Sequence, residues 1–256
     1  MIFDTHAHYD DEAFDSDREE LLSSMRENGV LGIVNASADI NSSFSSVKLS
    51  QEYPYIFAAV GVHPENLENL SEDYIEQIKK IATDNKKVVA IGEIGLDYHF
   101  RLDNKEKQIE VFENQVKLAN FLGLPVIVHD REAHKDTFDI LKKYTPKGIV
   151  HCFSGSVEMA KEIIKLGMKL GIGGVLTFKN AKTIVEVVEK IPLNHLVLET
   201  DAPYLAPVPF RGKRCNSSYI KFVAEKIAEI KNISAEEVYK ETFKNALEVY
   251  NIKENL

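Results

Sequence analysis

The chain has 256 residues, the usual size of a complete (β/α)₈ barrel, and its 44% hydrophobic content is ample for a large core. Its formal net charge of −9 argues against strong sequence-independent binding to nucleic acid, but it does not exclude a nuclease whose divalent cations attract phosphates. Two cysteines, no signal-peptide pattern and no apolar run of membrane-spanning length argue against a disulfide scaffold and a membrane protein, so a reduced cytoplasmic protein is expected.

Short apolar runs rich in valine and isoleucine recur along the whole chain and are predicted to be strands. They are apolar on successive residues, which is typical of parallel strands that are buried on both faces. The eight predicted strands are residues 2–4, 32–36, 56–62, 88–94, 125–128, 148–151, 168–175 and 196–198.

Amphipathic segments between these runs are predicted to be helices. The first begins at a capping box formed by Ser16 and Glu19 and ends at Gly29. The others are residues 71–83, 104–122, 133–144, a stripe from Val157 to Gly167, 181–190, 217–230 and 235–250. This alternation predicts an α/β fold, a TIM-type (β/α)₈ barrel in a single domain over residues 1–256. An open doubly wound sheet is the alternative, but no glycine-rich dinucleotide fingerprint follows the first strand.

Chemically reactive side chains are concentrated where the predicted strands end, which is where barrel active sites are built. Six of the eight histidines lie at or just beyond these ends: His6, His8, His63, His99, His129 and His151. Two carboxylates, Glu93 in the fourth strand and Asp201 after the eighth, join them.

Each of these residues also has a simpler interpretation. His6 and His8 point to one face of a strand and make half a metal site, yet such a pair is often coincidental. Glu93 in an apolar strand needs a cation or a salt bridge, for example with Arg131. The other histidines fit core positions, and Asp201 fits the cap of a turn. Taken together, four histidines and two carboxylates at one mouth predict a site for one or two divalent cations.

Six motifs in order along the chain resemble the TatD family of metal-dependent deoxyribonucleases, which are of the amidohydrolase type. They are FDTHAHYD at 3–10, GVHP at 61–64, IGEIGLDY at 91–98, PVIVHDR at 125–131, HCFSG at 151–155 and LETDAPYL at 198–205. Residues 215–218, CNSS, depart from the family pattern, in which Asn-Glu-Pro usually follows the arginine.

The resemblance implies hydrolysis of DNA phosphodiester bonds, as an exonuclease, with two divalent ions per subunit such as Zn²⁺, Mg²⁺ or Mn²⁺. One ion would be held by His6, His8, Glu93 and Asp201, and the other by Glu93, His129 and His151. Glu93 would therefore bridge the two ions. Asp201 is predicted to be the general base, because it would touch both a metal ion and water.

Other residues of the mouth are predicted to act on the substrate or on the ligands. His63 would contact a phosphate or protonate the leaving oxygen, or else fix the turn at Pro64. Glu199 would support a histidine ligand or form a buried salt bridge. Four basic residues are candidates for binding phosphate: Arg131, Arg211, Lys213 and Arg214. Three tyrosines beside the motifs, at positions 9, 98 and 204, could stack on a base, although packing is the favoured interpretation.

Two other functional classes remain open at this point. One is a different hydrolase on the same barrel, such as an aminoacyl-tRNA deacylase, a lactonase or a phosphotriesterase, because fold and metal site do not choose the substrate. The other is a non-enzymatic metal-binding protein, which would be expected to have an incomplete ligand set. DNA is the expected substrate, with RNA possible, and neither a membrane nor an obligate protein partner is expected.

Overall fold

Eight parallel strands form one sheet in which each strand is hydrogen-bonded to the next in chain order. The computed structural model describes residues 1–100 and 102–253, so residues 101 and 254–256 of the expected domain lie outside it. The strands are β1 Ile2–Ala7, β2 Val30–Ala36, β3 Ile56–Val60, β4 Val88–Asp97, β5 Val126–Arg131, β6 Gly148–Val150, β7 Lys169–Ile172 and β8 Leu196–Leu198.

Helices follow the strands around the outside. They are α1 Arg18–Ser24, α2 Ile40–Glu52, α3 Tyr74–Asp84, α4 Lys105–Leu122, α5 His134–Tyr144, α6 Val157–Lys165, α7 Lys182–Lys190, α8 Ile220–Lys231 and α9 Ala235–Tyr250. The backbone N–H groups of His8 and Asp201 donate to Ala202 and His6 respectively, which joins the end of β8 to β1. The predicted TIM-type (β/α)₈ barrel is confirmed.

The burial of the strands explains their continuous apolar sequences. All ten residues of β4 are buried, because one face of the strand points into the barrel and the other is covered by helices. Phe3 in β1 packs on the ring of Tyr250 at the end of α9, with ring centroids 6.1 Å apart. The last helix therefore closes the core against the first strand.

Helix α2 was not predicted, because its buried face does not carry an apolar stripe. Ser43, Ser46 and Ser50 are buried there beside Val47 and Leu49. Their hydroxyls are satisfied by hydrogen bonds, for example between Ser46 and Asn35 at 2.8 Å. A helix whose buried face is rich in serine has no hydrophobic period to detect.

Several predicted boundaries were wrong, among them those of the first helix, the seventh strand and the eighth helix. Helix α1 begins after Asp17 rather than at a Ser16 capping box, and the Asp17 side chain makes no capping hydrogen bond. Residues after Ile172 leave the seventh strand for a short 3₁₀ turn, Gly174–Thr177. Helix α8 begins at Ile220, behind a second 3₁₀ turn at Ser217–Tyr219. Within residues 1–100 and 102–253, no helix is both long enough and apolar enough to cross a membrane.

Candidate metal centre

The carboxyl ends of the strands bring all six predicted ligands into one cluster around the buried carboxylate of Glu93. His6 and His8 come from β1 and the residue just beyond it, and His129 comes from β5. His151 and Asp201 lie just beyond β6 and β8. His99 is not part of the cluster, because its Nδ1 lies 2.8 Å from Oε1 of the exposed Glu132.

Four ligand atoms converge on one point at the mouth of the barrel. Nε2 of His6 and Nε2 of His8 are 2.9 Å apart, and each lies 3.3–3.5 Å from both Glu93 Oε2 and Asp201 Oδ1. Ligand atoms that are about 2.0–2.2 Å from one ion lie roughly 3.0–3.5 Å from each other. The spacing of these four atoms therefore fits a shared divalent cation.

The tautomer of His8 also fits a metal ligand. Its Nδ1 lies 2.8 Å from the carbonyl oxygen of Ala36, which can only accept a hydrogen bond. The hydrogen of the neutral ring is thus on Nδ1, and the lone pair on Nε2 points at the cluster. Second partners of this kind commonly orient histidines that bind metals.

The second oxygen of Glu93 faces a different set of side chains. Oε1 lies 2.8 Å from Nδ1 of His129, 3.6 Å from Nε2 of His63 and 3.9 Å from Nε2 of His151. His63 is thus nearer to this oxygen than His151, which the sequence placed in the second metal set. Nε2 of His151 also lies 3.7 Å from Oδ1 of Asp201, so this ring lies between the two groups of ligands.

Two histidines in this second group differ in what they can offer. Nε2 of His129 lies 2.9 Å from Asp97 Oδ2 and can donate to it. Nδ1, which is hydrogen-bonded to Glu93 Oε1 at 2.8 Å, is then the ring atom that can bind a cation once it has lost its proton. Nδ1 of His63 instead accepts from the backbone N–H of Glu65 at 3.3 Å. The hydrogen of neutral His63 is therefore on Nε2, which makes this atom a donor toward Glu93 or a substrate.

The charges of the cluster are strongly coupled. Burial would raise the pKa of Glu93, but attraction to the surrounding histidines, His6 first among them, holds it well below its usual range. Burial would lower the pKa of His129, but hydrogen bonds to Asp97 and Glu93 raise it to about 10. Burial and the nearby positive charge of His129 lower the pKa of His63 to about 3. The carboxylates therefore stay ionised, and they keep His129 protonated. A divalent cation that binds to this histidine can replace its proton.

Glu199, one residue beyond β8, lies behind His151. Its Oε1 accepts from the backbone N–H of Cys152 at 2.6 Å and lies 3.2 Å from Nδ1 of His151. The side chain fits because Gly171 in β7 faces it, and a Cβ at that glycine would lie 2.2 Å from Glu199 Oε2.

Sequence reasoning missed two further carboxylates near the ligands. Asp97 holds His129, and its signal was an acidic residue at the end of an apolar strand. Asp4 is fully buried and accepts from the backbone N–H of His6 at 3.2 Å and from the hydroxyls of Thr200 and Ser217, each at 2.6 Å. Ser217 belongs to the segment that departs from the family pattern, so that segment is anchored beneath the site.

The predicted phosphate-binding residues lie at the end of β5 and on the loop after β8, but their side chains are not equally available to a phosphate. The guanidinium of Arg131 packs on Phe100, and that of Arg211 packs on Phe178, at 4.7 and 4.2 Å from the ring centroids. Both arginines are exposed, as is Lys213. Arg214 instead makes a two-bond ion pair with Asp17, at 2.5 and 2.7 Å, and donates to a backbone carbonyl.

Comparison with known proteins identifies relatives along nearly the whole chain. The family model TatD related DNase matches residues 3–251. The uncharacterised metal-dependent hydrolase YabD of Bacillus subtilis is 44% identical over 255 residues, which cover 98% of this chain and 100% of that protein.

Solved structures agree with this assignment. The crystal structure of YjjV, a TatD homologue from Escherichia coli K12, has a TM-score of 0.93 at 33% identity, and a hydrolase of the TatD family from Entamoeba histolytica has a TM-score of 0.88 at 26% identity. Each comparison covers 98% of both chains. With its ligand cluster at the mouth of the same barrel, the chain belongs to the TatD family of metal-dependent hydrolases.

Proposed function

We propose that this chain is a deoxyribonuclease that hydrolyses phosphodiester bonds, stepwise from a DNA end, with two divalent ions bridged by Glu93. The observation that carries the proposal is that the two oxygens of the Glu93 carboxylate face different histidines. Oε2 faces His6 and His8, whereas Oε1 faces His129. A carboxylate between two ligand groups suits a pair of ions that act on one phosphate. The description of the matching family model, TatD related DNase, supports DNA as the substrate.

The residues of the cluster have distinct parts in this reaction. Divalent ions bound there would lower the pKa of water and offset the charge that develops on the phosphoryl group. The side chain of Asp201 is 19% exposed, whereas that of Glu93 is 5% exposed, so Asp201 is the carboxylate that reaches both ligands and incoming water. Although burial opposes it, hydrogen bonds to His6 and His8 hold the pKa of Asp201 low. Ionised Asp201 accepts the proton of the attacking water.

Hydrogen-bond donors and cations at the mouth would orient the substrate. Nε2–H of His63 donates to a phosphate oxygen or to the leaving oxygen. Exposed Arg131, Arg211 and Lys213 bind flanking phosphates through charge, despite the net charge of the chain. Glu199 keeps His151 in place from behind.

The test is a substrate panel with the purified protein at defined metal content. DNA labelled at either end, RNA, aminoacyl-tRNA, a lactone and a phosphotriester are each incubated with Mg²⁺, Mn²⁺ or Zn²⁺, and products are resolved by length. We expect DNA to be shortened one nucleotide at a time, with loss of activity in chelator and recovery on adding metal. Turnover of the acyl ester, the lactone or the triester without cleavage of DNA would overturn the proposal.

A further inference from the structure

Two aromatic side chains are exposed at the mouth of the barrel, although most large apolar side chains of the protein are buried. Phe100 is 58% exposed and Tyr204 is 54% exposed. Phe100 follows β4 and Tyr204 follows β8. Because the strands are ordered β1 to β8 around the barrel, these two strands lie on opposite sides of the metal centre.

Phe100 is tied directly to the ligand cluster. Its backbone N–H donates to Asp97 Oδ1 at 3.0 Å, and the other oxygen of the same carboxylate lies 2.9 Å from Nε2 of His129. The guanidinium of Arg131 lies over the ring, 4.7 Å from its centroid. A planar apolar surface and a cation that can bind phosphate are thus next to each other, beside the ligands.

Tyr204 has a matching position on the other side. Its backbone N–H donates to the carbonyl oxygen of Asp201 at 2.7 Å, so its ring, like that of Phe100, is carried three residues beyond a carboxylate of the cluster. Its hydroxyl donates to Asp11 Oδ2 at 2.9 Å, which fixes the ring from its far end. The ring is exposed rather than packed, in contrast to Tyr9, which is fully buried.

We propose that Phe100 and Tyr204 form two base-stacking surfaces that hold the nucleotides on either side of the scissile phosphate. The inference rests on the proposed nuclease function and defines the substrate further: it must carry an aromatic base on both sides of the bond that is cleaved. Every base has a flat face, so stacking on an aromatic ring binds it without selecting its sequence. Arg131 next to Phe100 adds charge for the phosphate of the same nucleotide. Aminoacyl-tRNA carries bases on only one side of its ester bond, so it would stack on one of the two rings.

The test first maps the bond that the wild-type protein cleaves in a short single-stranded DNA. Abasic nucleotides are then placed on one side of that bond or the other. Phe100→Ala and Tyr204→Ala should each raise KM for normal DNA on the order of tenfold, with a smaller effect on kcat. In each variant, removing the base that would stack on the replaced ring should raise KM little further. The Phe100 and Tyr204 variants should therefore be insensitive to abasic nucleotides on opposite sides of the cleaved bond.

Matched variants separate stacking from structural damage. Phe100→Tyr and Tyr204→Phe keep a ring and should restore a KM close to that of the wild type. Phe121→Ala removes a 75% exposed ring from the end of α4, which also lies near a cation, Lys79, and should leave KM unchanged. Metal content and thermal stability are measured for every variant.

The outcomes distinguish this inference from the proposed function. If the wild type cleaves DNA and the alanine variants keep its KM, the rings do not bind bases. If an alanine variant raised KM by the same factor for normal DNA and for DNA that lacks the stacked base, the rings would act through the metal centre instead of by stacking. If the wild type cleaves no DNA while it hydrolyses another ester, the nuclease proposal itself fails.

Discussion

Each carboxylate oxygen of Glu93 faces a different set of histidines, with Oε2 3.3 Å from His6 Nε2 and Oε1 2.8 Å from His129 Nδ1. Glu93→Gln keeps the shape of the side chain and removes the charge that both sets share. We expect activity to fall on the order of 10²–10³-fold, which is the usual cost of removing one well-placed electrostatic interaction. The loss should exceed that of His6→Ala or His8→Ala, because each of these histidines faces one set only.

Enzyme assays together with elemental analysis of bound metal measure this effect. Glu132→Gln is the matched control, because Glu132 is exposed at the same mouth and pairs with His99 outside the cluster. If Glu93→Gln kept both its metal content and its turnover, Glu93 would have a purely structural role.

His129 gives the metal affinity a pH dependence. Its pKa is raised from 6.5 to about 10 in the folded protein, so the stability it contributes without metal is complete below pH 6.5 and is lost as pH rises through 10. A cation at Nδ1 must displace that proton, so affinity for Mn²⁺ or Zn²⁺ should rise between these pH values by up to about tenfold per unit. Calorimetry in buffers of different ionisation enthalpy counts the protons released.

The contribution of His129 can be separated from those of the other histidines. His129→Gln should release one proton fewer per metal-binding event and show a shallower pH dependence. An unchanged proton count in this variant would mean that His129 stays protonated when metal binds, and that it is not a ligand.

At the scale of elements, the loop after β8 contains basic residues with two different roles. Arg211 and Lys213 are exposed, whereas Arg214 is held by Asp17 at the start of α1. Arg211→Ser combined with Lys213→Ser should weaken binding of oligonucleotides. The salt slope, which is the slope of the logarithm of the binding constant against the logarithm of salt concentration, should become shallower by about one unit for each phosphate that is no longer neutralised. The affinity is measured by fluorescence anisotropy over a range of salt concentrations.

Arg214→Ser is the internal comparison for this loop. It breaks a partly exposed ion pair, so it should lower the free energy of unfolding only slightly and leave the salt dependence of DNA binding unchanged. Asp17→Asn should have the same effect on stability. A salt slope that falls in Arg214→Ser and stays constant in the double variant would reverse these assignments.

At the scale of the whole molecule, the metal centre joins strands from all around the barrel. The proposed ligands come from β1, β4 and β5 and from the residues just beyond β1, β6 and β8, so a bound cation would link elements that are far apart in sequence. A ligand present at 100 times its Kd stabilises the folded state by about 2.7 kcal/mol. For a protein of this size, that corresponds to a rise in Tm of roughly 5–10 °C.

Thermal unfolding followed by circular dichroism, with and without chelator, measures this stabilisation. Glu93→Gln should show a much smaller rise in Tm than the wild type at the same metal concentration. If saturating metal left the Tm of the wild type unchanged, the cluster would not bind metal tightly in the folded state.

The sequence by itself determined the barrel and most of the residues that meet at its mouth. Largely apolar runs such as residues 88–94 predict buried parallel strands, because burial on both faces removes the alternation seen in other sheets. Since the carboxyl ends of parallel strands share one end of a barrel, histidines at these ends were expected to meet, and all of them except His99 do so. Neither step requires knowledge of side-chain partners.

Only the tertiary structure decided the partners of individual side chains. Arg214 pairs with Asp17, 197 residues away, and Asp97 holds His129 rather than lying on the surface. Tyr204 is exposed, where its sequence context favoured packing, and a buried face of serines concealed α2. The physical reason is the distance along the chain over which each property is set. Hydrophobic periodicity is a local property of the chain, whereas ion pairs, tautomers and exposure depend on atoms that meet only when distant segments pack together.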